Sequence, residues 1–164
     1  MNLKNVLLIF VLSYLTWLAL NWSVDVDVLV AGAIISVLIA VLLCSKCNVL
    51  QNVRLTPKSF VYAFAFLGVF WWELLKSNID VALRVLTPSL PINPGIVEVK
   101  TRLKTDIGKM LLANSITLTP GTLTVDIRGD RMFIHWIDVS STDIEEATRA
   151  IVSKFEKYLE VMYG

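Results

Sequence analysis

The stretch from Val6 to Cys44 reads VLLIFVLSYLTWLALNWSVDVDVLVAGAIISVLIAVLLC, and it decides the fold class. Two apolar runs, Val6–Leu20 and Val28–Cys44, are separated by a connector, Asn21 to Asp27, too short for anything but a tight helical hairpin. Crossing a bilayer core of about 30 Å takes about 20 helical residues, so both runs are short spans with interfacial ends. A soluble chain of 164 residues cannot enclose two helices that are apolar all round. Lipid accepts them, because a helix satisfies its own backbone. The sequence therefore predicts transmembrane helices over about 5–22 and 27–45. Met1-Asn2-Leu3-Lys4 opens like a signal peptide, but no small-x-small cleavage site follows and a second apolar stretch comes at once. The expectation is a retained anchor.

The flanks set the orientation. The connector holds only Asp25 and Asp27, while Lys4 precedes the hairpin and Lys46, Arg54 and Lys58 follow it. The positive-inside bias then puts the loop outside and both ends in the cytoplasm. Within the second run Gly32, Ser36 and Ala40 recur at i, i+4 and i+8, a stripe of small side chains that admits close approach by another helix. Two occupants are open: a partner subunit, with these three as docking candidates, or the first span of the same hairpin. Cys44 and Cys47 form a Cys-x-x-Cys where the second span ends. A thioredoxin-like pair opens a helix after a strand, so the context argues against a redox or metal role.

The third apolar stretch, Pro57 to Leu86, reads two ways. Phe60 to Trp72 is uncharged and rich in aromatics; then Glu73, Lys76, Asp80 and Arg84 fall three or four apart, on one helical face. Pro57 suits a first turn, and a continuous helix to Leu86 would be about 45 Å long. If it spanned, Arg84, Lys100, Arg102 and Lys104 would be carried across against the charge rule. The expectation is a helix at the cytoplasmic interface, anchored by Trp71 and Trp72, with a third span as the alternative. Glu73, ionisable within an apolar run, is a proton-relay candidate. Its plainer role is an ion pair with Lys76.

Residues 1–86 thus form a membrane domain, and TPSLPINPG at 87–95 is a Pro-rich linker. Beyond it the charge density becomes that of a soluble domain. Val97, Val99, Thr101 and Leu103 alternate with Glu98, Lys100, Arg102 and Lys104, as in a strand with one wet face. Asp106 starts a short helix to about Ser115. Pro120 and Gly121 fit the central pair of a structural type II turn, whose third residue takes positive φ, and a strand follows from Thr122 to Arg128. A two-residue turn at Gly129-Asp130 sets a register. It pairs Ile127 with Met132, Val125 with Ile134 and Leu123 with Trp136 on a wholly apolar face, and Thr124 with His135 and Asp126 with Phe133 on the other. Thr142 and Glu145 read as a capping box for one closing helix that buries Ile144, Ala147, Ile151, Phe155, Leu159 and Met162. The predicted fold is a membrane protein: a helical hairpin, an interfacial or third membrane helix, and a cytoplasmic α+β domain over 96–164 of order βαββα, both helices on one sheet face.

Composition removes several functions. Hydrophobic residues make up 55% and charged residues 18%. A net charge of +1, from 15 basic and 14 acidic residues, gives no drive toward nucleic acid. Two cysteines make neither a disulfide scaffold nor a four-thiolate zinc site. His135, the one histidine, lacks the partners of a His-based metal site or a Ser-His-Asp triad. Arg128-Gly129-Asp130 spells an adhesion tripeptide that turn chemistry explains. There is no Walker loop and no dinucleotide fingerprint. The expectation is a protein that is not an enzyme, with no cofactor and no catalytic residue.

The run LLANSITLTPGTLTVD at 111–126, with Trp72-Glu73-Leu74, INPGIV at 92–97 and Ile137-Asp138-Val139, resembles the E-type component of Mrp-type (Mnh, Pha) multisubunit sodium/proton antiporters. The likeness extends over nearly the whole chain and is most specific through Thr117–Thr124. It implies a small subunit of a seven-protein bacterial inner-membrane complex that exchanges cytoplasmic sodium for external protons. The pumping chemistry is then assigned to large subunits related to respiratory complex I, and the E-type component is accessory, supporting assembly or full activity. The implied partners are the other subunits of this hetero-oligomer and the lipid bilayer. One rival is a self-sufficient membrane-anchored binding or sensor domain with Glu98, Lys100, Arg102, Thr124, Asp126 and His135 as its ligand surface. A lesser rival is a Cys-x-x-Cys oxidoreductase.

Overall fold

The structure, a computed structural model, describes residues 3–44 and 56–164. In chain order these form α1 (Leu3–Asn21), α2 (Val26–Cys44), α3 (Pro57–Leu86), β1 (Gly95–Lys100), α4 (Asp106–Leu118), β2 (Thr122–Arg128), β3 (Arg131–Trp136), α5 (Ile144–Ile151) and α6 (Ser153–Tyr163). The chain divides into two compact units, Met1–Gln51 and Asn52–Gly164. Cys47, Lys46 and Arg54 lie outside the described residues, and with them the Cys-x-x-Cys pair and part of the orientation signal.

The first unit is the helical hairpin. Trp22 reverses the chain with a positive φ of 50°, and its N–H donates to Leu18 O at 3.1 Å, satisfying a carbonyl at the end of α1. Asp25 then opens α2 by accepting the Leu29 N–H at 3.0 Å. The two helices are tied across the turn by Trp17, whose indole Nε1 donates to Val28 O at 3.0 Å. The small-residue stripe faces inward. A Cβ at Gly32 would run into the Trp17 indole, and Ser36 and Ala40 are buried.

The second unit is built on a three-stranded antiparallel sheet of order β1-β3-β2. Its core joins Val97, Val99, Leu103, Leu112, Ile116, Met132, Ile134, Phe155 and Leu159. The sequence groups residues 57–86 with the hairpin, whereas the packing groups them with the sheet. Tyr62, Ala63, Phe66 and Phe70 of α3 close one side of this core, and the Phe66 and Phe70 rings lie 6.3 and 6.4 Å from Phe155. The linker is bound rather than free. Asn93 N–H donates to Ile137 O at 3.1 Å and Asn93 O accepts from Val139 N–H at 2.8 Å.

Several local expectations need correction. The β2–β3 register holds at Ile127–Met132 and Asp126–Phe133, then a bulge at Val125 shifts it, so that Leu123 pairs with His135 and Thr124 with Ile134. An extra residue on one strand turns the following side chains to the opposite face. Thr124 therefore points inward, its Oγ1 donating to Ala113 O at 3.2 Å, while Leu123 and Val125 are exposed. The amides of Thr122, Thr124 and Ile127 are bound by Thr119 O at 3.2 Å, Thr117 Oγ1 at 3.1 Å and Asp126 Oδ1 at 2.8 Å. The helix after Asp106 runs to Leu118, past Ser115, with Thr105 as its N-cap.

The cap of α5 is Asp143, not Thr142: its carboxylate accepts from Glu145 and Glu146 N–H, both at 3.0 Å. A charged acceptor one residue later competes successfully with the hydroxyl. The closing helix is broken at Val152 into α5 and α6. There the Ser153 hydroxyl donates to Thr148 O at 3.4 Å, a side-chain bond that competes with the backbone ladder.

Candidate functional site

Within the second unit a cleft of about 270 Å³ opens between α3 and the α4–β2 turn. It is built from charges that the sequence spaces three or four apart, which one side of a helix must present together. Glu73, Lys76, Asp80 and Arg84 line it from α3; Thr119 to Thr122, Asp138 and Lys154 line it from the sheet domain. Glu73 does not pair with Lys76 as expected. It turns toward α6 and takes Lys154 Nζ at 2.7 Å, with the two side chains 16% and 30% exposed. At the far end Arg84 holds Asp80 at 2.8 Å and Asp138 at 2.9 Å, and its Nη1 donates to Pro91 O at 2.6 Å. One guanidinium thereby ties α3, the linker and the segment after β3.

The turn on the opposite wall is fixed by its own polar groups. Thr122 N–H donates to Thr119 O at 3.2 Å. Thr122 Oγ1 donates to Ile116 O at 2.7 Å, and Thr119 Oγ1 to Ser115 O at 2.7 Å. Gly121 has φ +89°, the positive value a type II turn takes at its third residue. A Cβ there would stand 2.9 Å from Ile137 Cγ2 and 3.6 Å from Val81 Cγ2 of α3. Pro120 and Gly121 thus allow the turn to lie against α3. The hydroxyls of the most specific family-like stretch serve the backbone, and Glu73, Asp80, Arg84, Asp138 and Lys154 of the cleft serve each other. Chemically this arrangement clamps a helix, and Glu73 is one jaw of the clamp.

The pairings of the clamp carry no signal in the sequence: Asp138 stands out only as part of a family-like stretch, and Lys154 not at all, because a pairing across 81 residues, as between Glu73 and Lys154, leaves no local trace. Glu156 is hidden for the same reason. It is 3% exposed and accepts from Thr101 Oγ1 at 2.6 Å and Arg102 N–H at 2.7 Å, fixing the chain as it leaves β1.

The polar sheet face is only partly assembled. Glu98, Lys100, Asp126 and His135 lie on the outer face by register, but Thr124 has turned in and Arg102 pairs with Glu156 and Glu160. Asp126 is itself occupied: Arg128 at 2.7 Å, followed by the Ile127 N–H, holds its carboxyl below the ordinary carboxylate range. Among the described residues no group of three or more His, Cys, Asp or Glu side chains is placed to hold a metal ion. By length and composition α2 and α3 are sufficient to cross a membrane, and the apolar stretch of α1, Asn5–Asn21, is shorter.

The likeness to known proteins covers both units. A family described as "Na+/H+ ion antiporter subunit" (MNHE) matches residues 10–162. The E1 component of the Na(+)/H(+) antiporter of Staphylococcus haemolyticus is 38% identical over 160 residues, 93% of each chain. The E component of the Na(+)/H(+) antiporter of Alkalihalophilus pseudofirmus is 46% identical over 93 residues, 56% of this chain and 58% of that one. Among solved structures, a chain of the membrane-bound sulfane sulfur reductase, an archaeal respiratory membrane complex, superposes with a TM-score of 0.84. It is 46% identical and covers 96% of this chain and 98% of its own. Hairpin, α3 and sheet domain therefore recur together, and the chain belongs to the MNHE family of Na+/H+ antiporter subunits.

Proposed function

We propose that this chain is an accessory, non-catalytic subunit of a multisubunit membrane complex that exchanges sodium ions for protons, and that it supports assembly or full activity of the pumping subunits. The observation that carries this reading is the family match over residues 10–162. A match of that length makes anchor and sheet domain parts of one subunit plan, which weighs against a free-standing sensor. The α1–α2 hairpin is the membrane anchor, its loop outside and the sheet domain in the cytoplasm. The apolar runs Val6–Leu20 and Val28–Leu43 contain no Asp, Glu, Lys, Arg or His, the side chains that pass protons or cations through a bilayer. The acids of α3 are engaged in ion pairs with their own domain. Antiport chemistry therefore resides in partner subunits.

A second host is favoured by one observation, the 46% identity to a chain of an archaeal respiratory membrane complex over 96% of this one. In that reading the same accessory role is played inside an electron-transfer complex. Gentle solubilisation of native membranes, with the chain as bait, tests both. A colourless ladder of hydrophobic subunits supports the antiporter, and co-purifying flavin or iron–sulfur absorption supports the respiratory host. Recovery of the chain alone would sink both.

A further inference from the structure

The five charged residues of α3, Lys58, Glu73, Lys76, Asp80 and Arg84, all fall on one side of the helix. That side is the one packed on the sheet domain. Contacts run from Tyr62, whose ring lies 6.3 Å from Tyr158, to Arg84, 2.9 Å from Asp138. The opposite half carries no charge from Pro57 to Leu86. Its Phe60, Phe64, Trp71, Leu75, Ile79 and Leu86 are all more than half exposed, far more apolar surface in one band than water tolerates on a soluble domain.

The length of the packed side decides what covers the bare one. From Tyr62 to Arg84 the helix advances about 33 Å at 1.5 Å per residue, more than the roughly 30 Å of a bilayer core. If α3 crossed the membrane, the domain attached along that whole distance would have to cross with it. Lys154, Glu156, Lys157 and Glu160 of α6 would then enter hydrocarbon, where ionised side chains are strongly disfavoured. A helix lying in the membrane plane meets neither problem. Its apolar half sinks to the level of the headgroup–acyl boundary, Trp71 and Trp72 sit where indoles concentrate, and the domain stays in water.

Resting on the reading of this chain as a membrane subunit, we infer that α3 lies flat on the bilayer surface, its uncharged half in contact with lipid and the sheet domain riding on its charged half. The clamp formed by Glu73, Arg84 and their partners then fixes the domain to a lipid-bound rail.

The test uses the full chain carrying Cys44→Ser and Cys47→Ser, reconstituted into vesicles of phosphatidylcholine and phosphatidylglycerol. Single spin labels are introduced through Phe64→Cys, Leu75→Cys and Leu86→Cys, positions on the same helical face, and through Lys157→Cys on α6. Their depth is read from oxygen against nickel-chelate accessibility. The expected result is one shallow depth, about 5–10 Å below the headgroups, at all three α3 sites, with the Lys157→Cys label in water; that last label also reports an intact domain. A depth that passes through the bilayer centre between Phe64 and Leu86 would overturn the inference. So would labels exposed to water, or labels shielded from both reagents by protein. Uniform shallow depth in a chain that co-purifies with no other subunit would remove the antiporter reading and leave this one standing.

Discussion

α2 and α3 are both long and apolar enough to cross a membrane, yet they bury themselves by different means. α2 turns its smallest residues inward, so that Gly32, Ser36 and Ala40 receive α1 and the Trp17 indole, while Ile34, Val37 and Leu38 stay on the outside. Among the described residues nothing ionic takes part. α3 instead gathers its few charges into one file and directs them at the sheet domain through Lys154 and Asp138. The amount of apolar residue in a helix says little about its place. Where around the axis its charges fall says much more.

Five substitutions break or sharpen this contrast. The largest effect belongs to Phe155→Ala, which removes the ring shared by α3 and the core at a cost of about 3–5 kcal/mol. Urea denaturation followed by tryptophan fluorescence is expected to move the sheet unit's transition to lower urea while the hairpin keeps its helicity. Equal loss in both units would mean that α3 is not specific to the sheet. Gly121→Val follows, a β-branched residue at positive φ and 2.9 Å from Ile137, costing on the order of 1–3 kcal/mol. Antiport should fall in step with the amount of intact complex on blue-native gels. A fully assembled but inactive complex would overturn the accessory role.

Gly32→Leu forces a side chain into the Trp17 indole, an overpacking cost of about 1–3 kcal/mol that the adaptable hairpin partly absorbs. Loss of the chain from the complex is expected, whereas Leu38→Ala, at a site more than half exposed in this chain, should incorporate normally. The reverse ranking would place the partner interface on the leucine side. The smallest change is Glu73→Gln, which breaks one partly exposed ion pair and costs less than about 1 kcal/mol. Proton flux per assembled complex should be unchanged. A dead but assembled complex would make Glu73 a proton carrier.

What the sequence could reveal depended on the range of the forces involved. The span of α3 was legible because Pro57 at its start and an unbroken apolar period are local signals. Gly121 was legible because positive φ selects glycine within four residues of chain. The attachment of α3 to the sheet was not, since Phe66–Phe155 and Glu73–Lys154 join distant segments and either ring or charge alone has many possible partners. The bulge at Val125 was hidden for another reason. Leu123, Val125 and Ile127 alternate as a regular strand should, and only the pairing with β3 and the hydrogen bonds of Thr124 to α4 reveal that one residue is surplus. The cleft was half legible: the α3 charges announced a polar face, and two of their counter-ions, Lys154 and Asp138, lay far along the chain.

The outward amides of β2 have a consequence for the protein before it reaches its partners. A sheet edge with open N–H groups is a template on which another copy's strand can grow. Here Thr122, Thr124 and Ile127 have already given their hydrogens to Thr119, Thr117 and Asp126, and the bulge at Val125 interrupts the straight row that a visiting strand would need. The edge is closed from within the chain. Newly made copies crowded along a membrane can therefore expose Leu123 and Val125 to one another without this edge zipping into a shared sheet.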